Sequence, residues 1–340
     1  MEGTMRAMYL TAPEQIELRE QPIYQVGPNE VLVRVAYAGI CPWDLRAYLG
    51  KKKVSLPRVL GHEISGTVVE KGELVKDLEI GDKVVGDFGV KCGYCVNCRQ
   101  GRGNKCSNLE FLPGGFADYA KFPRTNIYPI KKGTSMKAAA CTEPLATVFR
   151  GQRLLNLKPG EVEAVIGVGP IGQMHLQVAR QFGARTIAVD LIQERLDLAK
   201  ELGAEMTINS SETSMVDAIM EATGGRGADA ITVTVQSAPL ICEAVKALGY
   251  GGRLNIFAGI YPQDELHIDP NLIHYKELNI LGSADSTSYE FREALKLIED
   301  GAVKVEPLIS HVLPLEELAK GLDIVAKCGG MKVIMEVEGD

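Results

Sequence analysis

Residues 163–190 read EAVIGVGPIGQMHLQVARQFGARTIAVD. An apolar run enters a glycine-rich turn. A stretch with apolar side chains at helical spacing follows, and a second apolar run ends in an acid. This order is strand, turn, helix, strand, the unit from which a parallel sheet is wound. Gly167, Gly169 and Gly172 stand as G-x-G-x-x-G. Alone that motif is weak; between a strand and a helix it is a dinucleotide fingerprint. Gly167 allows the tight turn, Gly169 lets backbone approach a pyrophosphate, and Gly172 lets helix and strand pack closely. Pro170 and Ile171 open the helix, whose N-terminus faces the anionic phosphates. Asp190 stands about 20 residues on, where an acid would bond the adenosine ribose hydroxyls. It would also repel a 2′-phosphate, which favours NAD over NADP. Arg195 works the other way: it would stack on adenine, or admit a phosphate if it swung round.

Outward from this stretch the same texture continues. RLDLAKELGA is helical, and ADAITVTVQ, GGRLNIFAG and LNILGSAD read as buried strands. Strands separated by helices predict a doubly wound parallel sheet, a Rossmann domain over 151–284. Upstream the texture differs. VLVRVAYAGI, GHEISGTVVEKG and GDKVVGDFGV are short runs of branched residues punctuated by glycine, as in small barrels. After about residue 285, FREALKLIEDG and PLEELAKGLDIVAK read as amphipathic helices and KVIMEVE as a last strand. The fold class is therefore α/β, with 1–150 plus 285–340 forming a second, β-barrel domain.

Composition narrows the function. A chain of 340 residues, 46% hydrophobic, has room for two cores. A net charge of −7 without a basic block argues against nucleic acid and anionic membrane as partners. No apolar run approaches the ~20 residues of a membrane span, and no charged-then-apolar leader is seen.

Four cysteines cluster in KCGYCVNCRQGRGNKC: Cys92, Cys95, Cys98 and Cys106, within a lobe spanning 90–107. Thiolates this close converge on one tetrahedral ion, and Zn²⁺ is the ion that favours four sulfurs. A ferredoxin-type cluster would need a short final gap and a proline after the last cysteine; here the gap is long and Ser107 follows. Buried or disulfide-bonded cysteines are the other rival, and they do not gather in a Gly-, Lys- and Arg-rich loop. Four sulfurs close the coordination sphere, so this ion is structural. Eight cysteines, four of them on metal, point to a reducing compartment, the cytoplasm.

Three further signals complete a pattern: Cys41 in AYAGICPWD, His62 and Glu63 in LGHEISG, and Glu143 in CTEPLA, just before a helical stretch. With the sulfur lobe and GVGPIG in this order, the chain resembles the zinc-containing medium-chain dehydrogenases, in their sorbitol and threonine dehydrogenase branch. The resemblance covers nearly the whole sequence and implies a GroES-like catalytic domain beside the Rossmann domain. It implies two Zn²⁺ per subunit and NAD. Cys41 and His62 would ligate a catalytic zinc, with Glu63 and Glu143 as carboxylate ligands and Cys141 as a lesser stand-in. Asp44 would orient the His62 ring. Thr147, Ile171 and the backbone at Ala258, Gly259, Ile260, Ser283 and Ala284 would meet the nicotinamide end. The ion would lower the pKa of a substrate hydroxyl, and the carbinol hydrogen would leave as hydride to the nicotinamide. By the same analogy the assembly is a homotetramer.

One departure matters. The run Cys41, Pro42, Trp43, Asp44 lacks the hydroxyl residue that carries the substrate proton outward in this family, and Arg46 stands where a histidine is common. Glu63, Glu143 or a zinc-bound water would then take the proton, with Tyr48 a weaker candidate. Trp43, Tyr48 and Phe111 are candidate pocket walls, Trp43 stacking on the apolar face of a sugar or cyclitol. The expected activity is dehydrogenation of a secondary alcohol in a polyol, sugar or cyclitol, which the EPL glutamate and IHYKEL favour over simple alcohols. The alternatives are L-threonine or an amino-cyclitol as substrate, or, outside enzymes, an NAD- and zinc-binding protein without turnover.

Overall fold

The computed structural model describes residues 2–339. The chain divides into two compact units: 1–146, 286–301 and 305–340 in the first, 147–285 and 302–304 in the second.

In the first unit the strand Glu30–Gly39 is central. Its Val, Leu and Ala side chains are buried along almost the whole length, because it pairs with Glu63–Lys71 on one side and with Tyr119–Pro123 and Lys332–Glu336 elsewhere along its length, all antiparallel. The full sheet runs Ile127–Pro129, Lys83–Gly86, Glu63–Lys71, Glu30–Gly39, Lys332–Glu336, Ile309–Pro314, with Tyr119–Pro123 off that path. A three-stranded sheet, Gln15–Pro22, Thr4–Ala12 and Arg58–Val59, packs against it over one core. Phe116 and Phe122 are fully buried there. A C-terminal strand thus sits in register with Gly39, next to the segment that carries Cys41.

The second unit is a six-stranded parallel sheet in the order Met206–Asn209, Arg185–Asp190, Val162–Ile166, Ala228–Val233, Leu248–Ile256, Asn279–Gly282. The helix Pro170–Gln181 makes the first crossover, from Val162–Ile166 to Arg185–Asp190, and Gln193–Glu201 the next. Gly167 takes φ +85°, a left-handed conformation that side chains resist, and a Cβ there would meet Val235 Cγ2 at 2.4 Å. A Cβ on Gly172 would lie 2.0 Å from the Gly167 carbonyl, whereas one on Gly169 would meet nothing within 4 Å. The open space at Gly169 is where a phosphate can approach backbone.

The sequence reading places an apolar strand at EAVIGVG, yet its Glu163 is fully buried in the strand Val162–Ile166. Glu143, expected just before a helix, lies inside the helix Thr142–Leu155, in its first turn.

Candidate active site

The strand Glu30–Gly39 delivers the chain to Cys41, which caps the helix Pro42–Tyr48. Asp44 completes a capping box by accepting from the Cys41 amide at 3.0 Å. Its other oxygen accepts from the Gly61 amide at 3.1 Å. Gly61 has φ +88°, and a Cβ there would meet the Phe116 ring at 2.9 Å. This turn brings His62 back to the cap, with Nδ1 3.5 Å from Asp44 Oδ1. Glu63 begins the next strand, fully buried. One ligand atom each from Cys41, His62 and Glu63 then lies within 4.8 Å of the others.

The electrostatics of this trio ask for a cation. Burial pushes the Cys41 thiol up. Burial works against charge on His62, but Asp44 and the Cys41 sulfur outweigh it and hold the imidazole well above its ordinary value. Asp44 resists burial in the same way: His62 and two amides keep it low. Glu63 pairs with Lys332 Nζ, which also donates to the Ile40 carbonyl at 2.9 Å. Burial disfavours the Lys332 charge, yet Glu63 and the two nearby thiols hold its pKa above the usual lysine range. Glu63 Oε1 has no hydrogen-bond partner. A thiol, an imidazole and a half-satisfied buried carboxylate are the donor set that a divalent ion completes, with a position left open. The set fits zinc.

Glu143 is not among the three converging donors. It stands close enough to feel His62, Glu63 and Lys332, and burial lifts its carboxyl to about 7. Cys141, buried beside Lys332 and Glu63, is pushed up to about 12. The Trp43 ring meets His62 edge-on at 5.9 Å between centroids, and Tyr48 packs against the core. Phe111 lies on a two-residue strand paired with Gly89–Val90 and is 64% exposed. Sequence reasoning missed Lys332: a lysine opening a strand carries no local mark of the acid it meets.

The sulfur lobe is equally plain. The Cys95 and Cys106 sulfurs lie 3.9 Å apart and those of Cys106 and Cys92 3.5 Å. A tetrahedral site with Zn–S of about 2.3 Å requires roughly 3.8 Å between sulfurs. Amides of Cys95, Cys98, Cys92 and Asn108 each point at a sulfur at 3.4 Å. Such amides draw the Cys95 thiol down to about 6, while burial and neighbouring thiols push Cys98 up to about 12. Four thiolates cannot coexist there without a cation, and this site too fits zinc.

In the second unit Asp190 Oδ2 accepts from the Val168 amide at 2.8 Å, and Oδ1 accepts from Leu191 and Ile192 at 2.8 and 3.0 Å. These bonds fix the acid beside the glycine turn. Arg195 Nη1 stands 3.8 Å from it. Thr147 lies on the helix Thr142–Leu155, Ile171 in the first turn of Pro170–Gln181, and 258–260 and 283–284 follow the ends of two adjacent parallel strands.

Residues 27–132 match the family described as "Alcohol dehydrogenase GroES-like domain", and 170–300 match "Zinc-binding dehydrogenase". The L-threonine 3-dehydrogenase of Bacillus velezensis is 34% identical over 331 residues, 94% of each chain. The chain belongs to the zinc-containing medium-chain alcohol dehydrogenases. Among solved structures of this family, a putative zinc-binding dehydrogenase from Sinorhizobium meliloti, bound to NADP, superposes with a TM-score of 0.94 at 31% identity, covering 98% of this chain and all of that one. Galactitol-1-phosphate dehydrogenase from Escherichia coli superposes at 0.90 with 28% identity, covering 98% and 100%. The protein is thus an oxidoreductase of CH–OH donors that uses zinc and a nicotinamide coenzyme. No helix among the described residues is long and apolar enough to cross a membrane.

Proposed function

We propose that this dehydrogenase oxidises a secondary alcohol of a polyol, sugar or cyclitol with NAD, using one catalytic and one structural zinc per chain. The observation that carries it is the convergence of Cys41, His62 and Glu63, with Asp44 locked behind His62. With Nδ1 turned to Asp44, Nε2 is the ring nitrogen available to an ion, and Asp44 sets its direction. When bound, zinc would act as a Lewis acid on the substrate hydroxyl. Trp43 has no hydroxyl to pass a proton, so Glu143, a carboxylate beside the trio, is its acceptor. Trp43, against His62, presents an apolar face to a sugar ring. Asp190, held by three amides, prefers the unphosphorylated ribose of NAD.

L-threonine is the second reading, favoured by the Bacillus velezensis relative. A panel of polyols, sugar alcohols, inositols, L-threonine and simple alcohols, followed by NADH absorbance, separates the two. The highest kcat/KM is expected on a polyol or cyclitol. L-threonine leading the panel would replace the first reading with the second. NADH binding without turnover on any member would leave a binding protein. No disulfide joins any of the eight cysteines; a cytoplasmic location belongs to this proposal, as does a homotetramer, which analogy with the family supports.

A further inference from the structure

One face of the parallel sheet in the second unit is polar where a leucine-lined layer would be the simpler core. Registered strands place Glu163 beside Ala230, Val165 beside Thr232, and Thr232 beside Asn255. Alternation along each strand puts Glu163, Thr232 and Asn255 on the same face. Thr232 Oγ1 donates to Glu163 Oε1 at 2.6 Å, and Gln152 Nε2 donates to the same oxygen at 2.8 Å. Gln152 Nε2 also meets His175 Nδ1 at 2.9 Å. Burial draws His175 down to about 3, so the ring is neutral and Nδ1 accepts. Ser283 Oγ donates to Asn255 Oδ1 at 3.0 Å. The two halves abut at Gly151: a Cβ there would lie 2.9 Å from Asn255 Nδ2, 3.0 Å from Ser283 Oγ and 3.2 Å from His175 Cε1.

This layer is costly. Gln152 Oε1, Glu163 Oε2, His175 Nε2 and Asn255 Nδ2 are buried with no hydrogen-bond partner, and a partly satisfied polar layer is worse for stability than an apolar one. What it provides is direction. His175 also packs edge-on against Phe257 at 4.5 Å, immediately before 258–260. Asn255 holds Ser283. Gly151 and Gln152 lie one turn beyond Thr147 on a shared helix. Each segment expected at the nicotinamide therefore borders one half or the other of this layer. None of these ties reaches the adenosine side, where Asp190 is held by its own amides.

We propose that Asn255, with Gly151 leaving it room, is a positioning residue that sets the Ser283 backbone for the nicotinamide end of the coenzyme. This rests on the coenzyme reading above. The test compares NADH with ADP-ribose, which lacks the nicotinamide, by titration calorimetry on the zinc-loaded enzyme. Asn255→Leu, Gly151→Ala and Ser283→Ala are each expected to raise the Kd for NADH about tenfold, the loss of roughly one hydrogen bond, with ADP-ribose changed less than about twofold. Equal weakening of both ligands, or no change in either, overturns the proposal. Ser283→Ala removes a single hydroxyl and decides the matter should the larger changes unfold the unit. Wild-type enzyme that binds neither ligand would overturn the coenzyme reading instead.

Discussion

Glu163 shows how one buried acid shapes the response of the molecule to pH. Burial raises its carboxyl to about 7 against the opposing pull of Thr232 and Gln152. Between the unfolded carboxylate value, about 4.3, and about 7, the folded chain holds a proton that the unfolded chain has released. Stability from this group is therefore fully present below the unfolded value and is lost as pH rises from there through about 7, by about 4 kcal/mol in all. Glu163→Gln is expected to flatten that slope in urea denaturation at pH 5 and pH 8. A slope identical to wild type would remove Glu163 as its source. Glu143 is the second residue whose exchange is informative. Glu143→Gln should lower kcat by roughly 10²-fold, the usual worth of a positioned general base, with zinc content retained by atomic absorption. Unchanged kcat would return the proton to Glu63 or to solvent.

At the scale of elements, the sulfur lobe and the C-terminal strand make contrasting demands. The lobe is local: its ligands lie within 92–106 and its amides serve its own sulfurs. Cys98→Ser should reduce bound zinc from two per chain to one and lower the melting temperature, while NADH affinity stays as in wild type. Two zincs retained would show that three sulfurs suffice. The strand Lys332–Glu336 acts at long range. Lys332→Met leaves Glu63 buried without its cation and should destabilise the metal-free protein by about 3 kcal/mol, read by chemical denaturation. This difference explains what was legible beforehand. Cys92, Cys95, Cys98 and Cys106, the GHE turn and GVGPIG announce themselves because chemistry and spacing lie in one short stretch. Lys332 and the layer around Glu163 do not, since their partners are assembled only by sheet register. Glu163 reads as the flank of an apolar strand, and the Gln152 that meets it lies on a neighbouring helix.

The whole molecule combines two cores of different texture, and the change from glycine-punctuated branched runs to strand–helix alternation was enough to anticipate both. The segment 302–304, which groups with the second unit, had no such mark: Gln177 takes hold of Lys304 through two backbone bonds. Coenzyme should stabilise the chain by mass action, about 2.7 kcal/mol at a hundred times Kd. NADH is expected to raise the melting temperature more than NADPH at equal concentration, and the reverse order would turn Asp190 and Arg195 into a phosphate site. One further consequence follows from the strand beside Gly39. Lys332 lies 292 positions beyond Ile40, whose carbonyl it grips, so a ribosome making this enzyme releases Glu63 long before its counter-charge emerges. That acid gains its buried partner only when the strand carrying Lys332 has docked beside Gly39, so sealing the metal corner and placing that strand are one event.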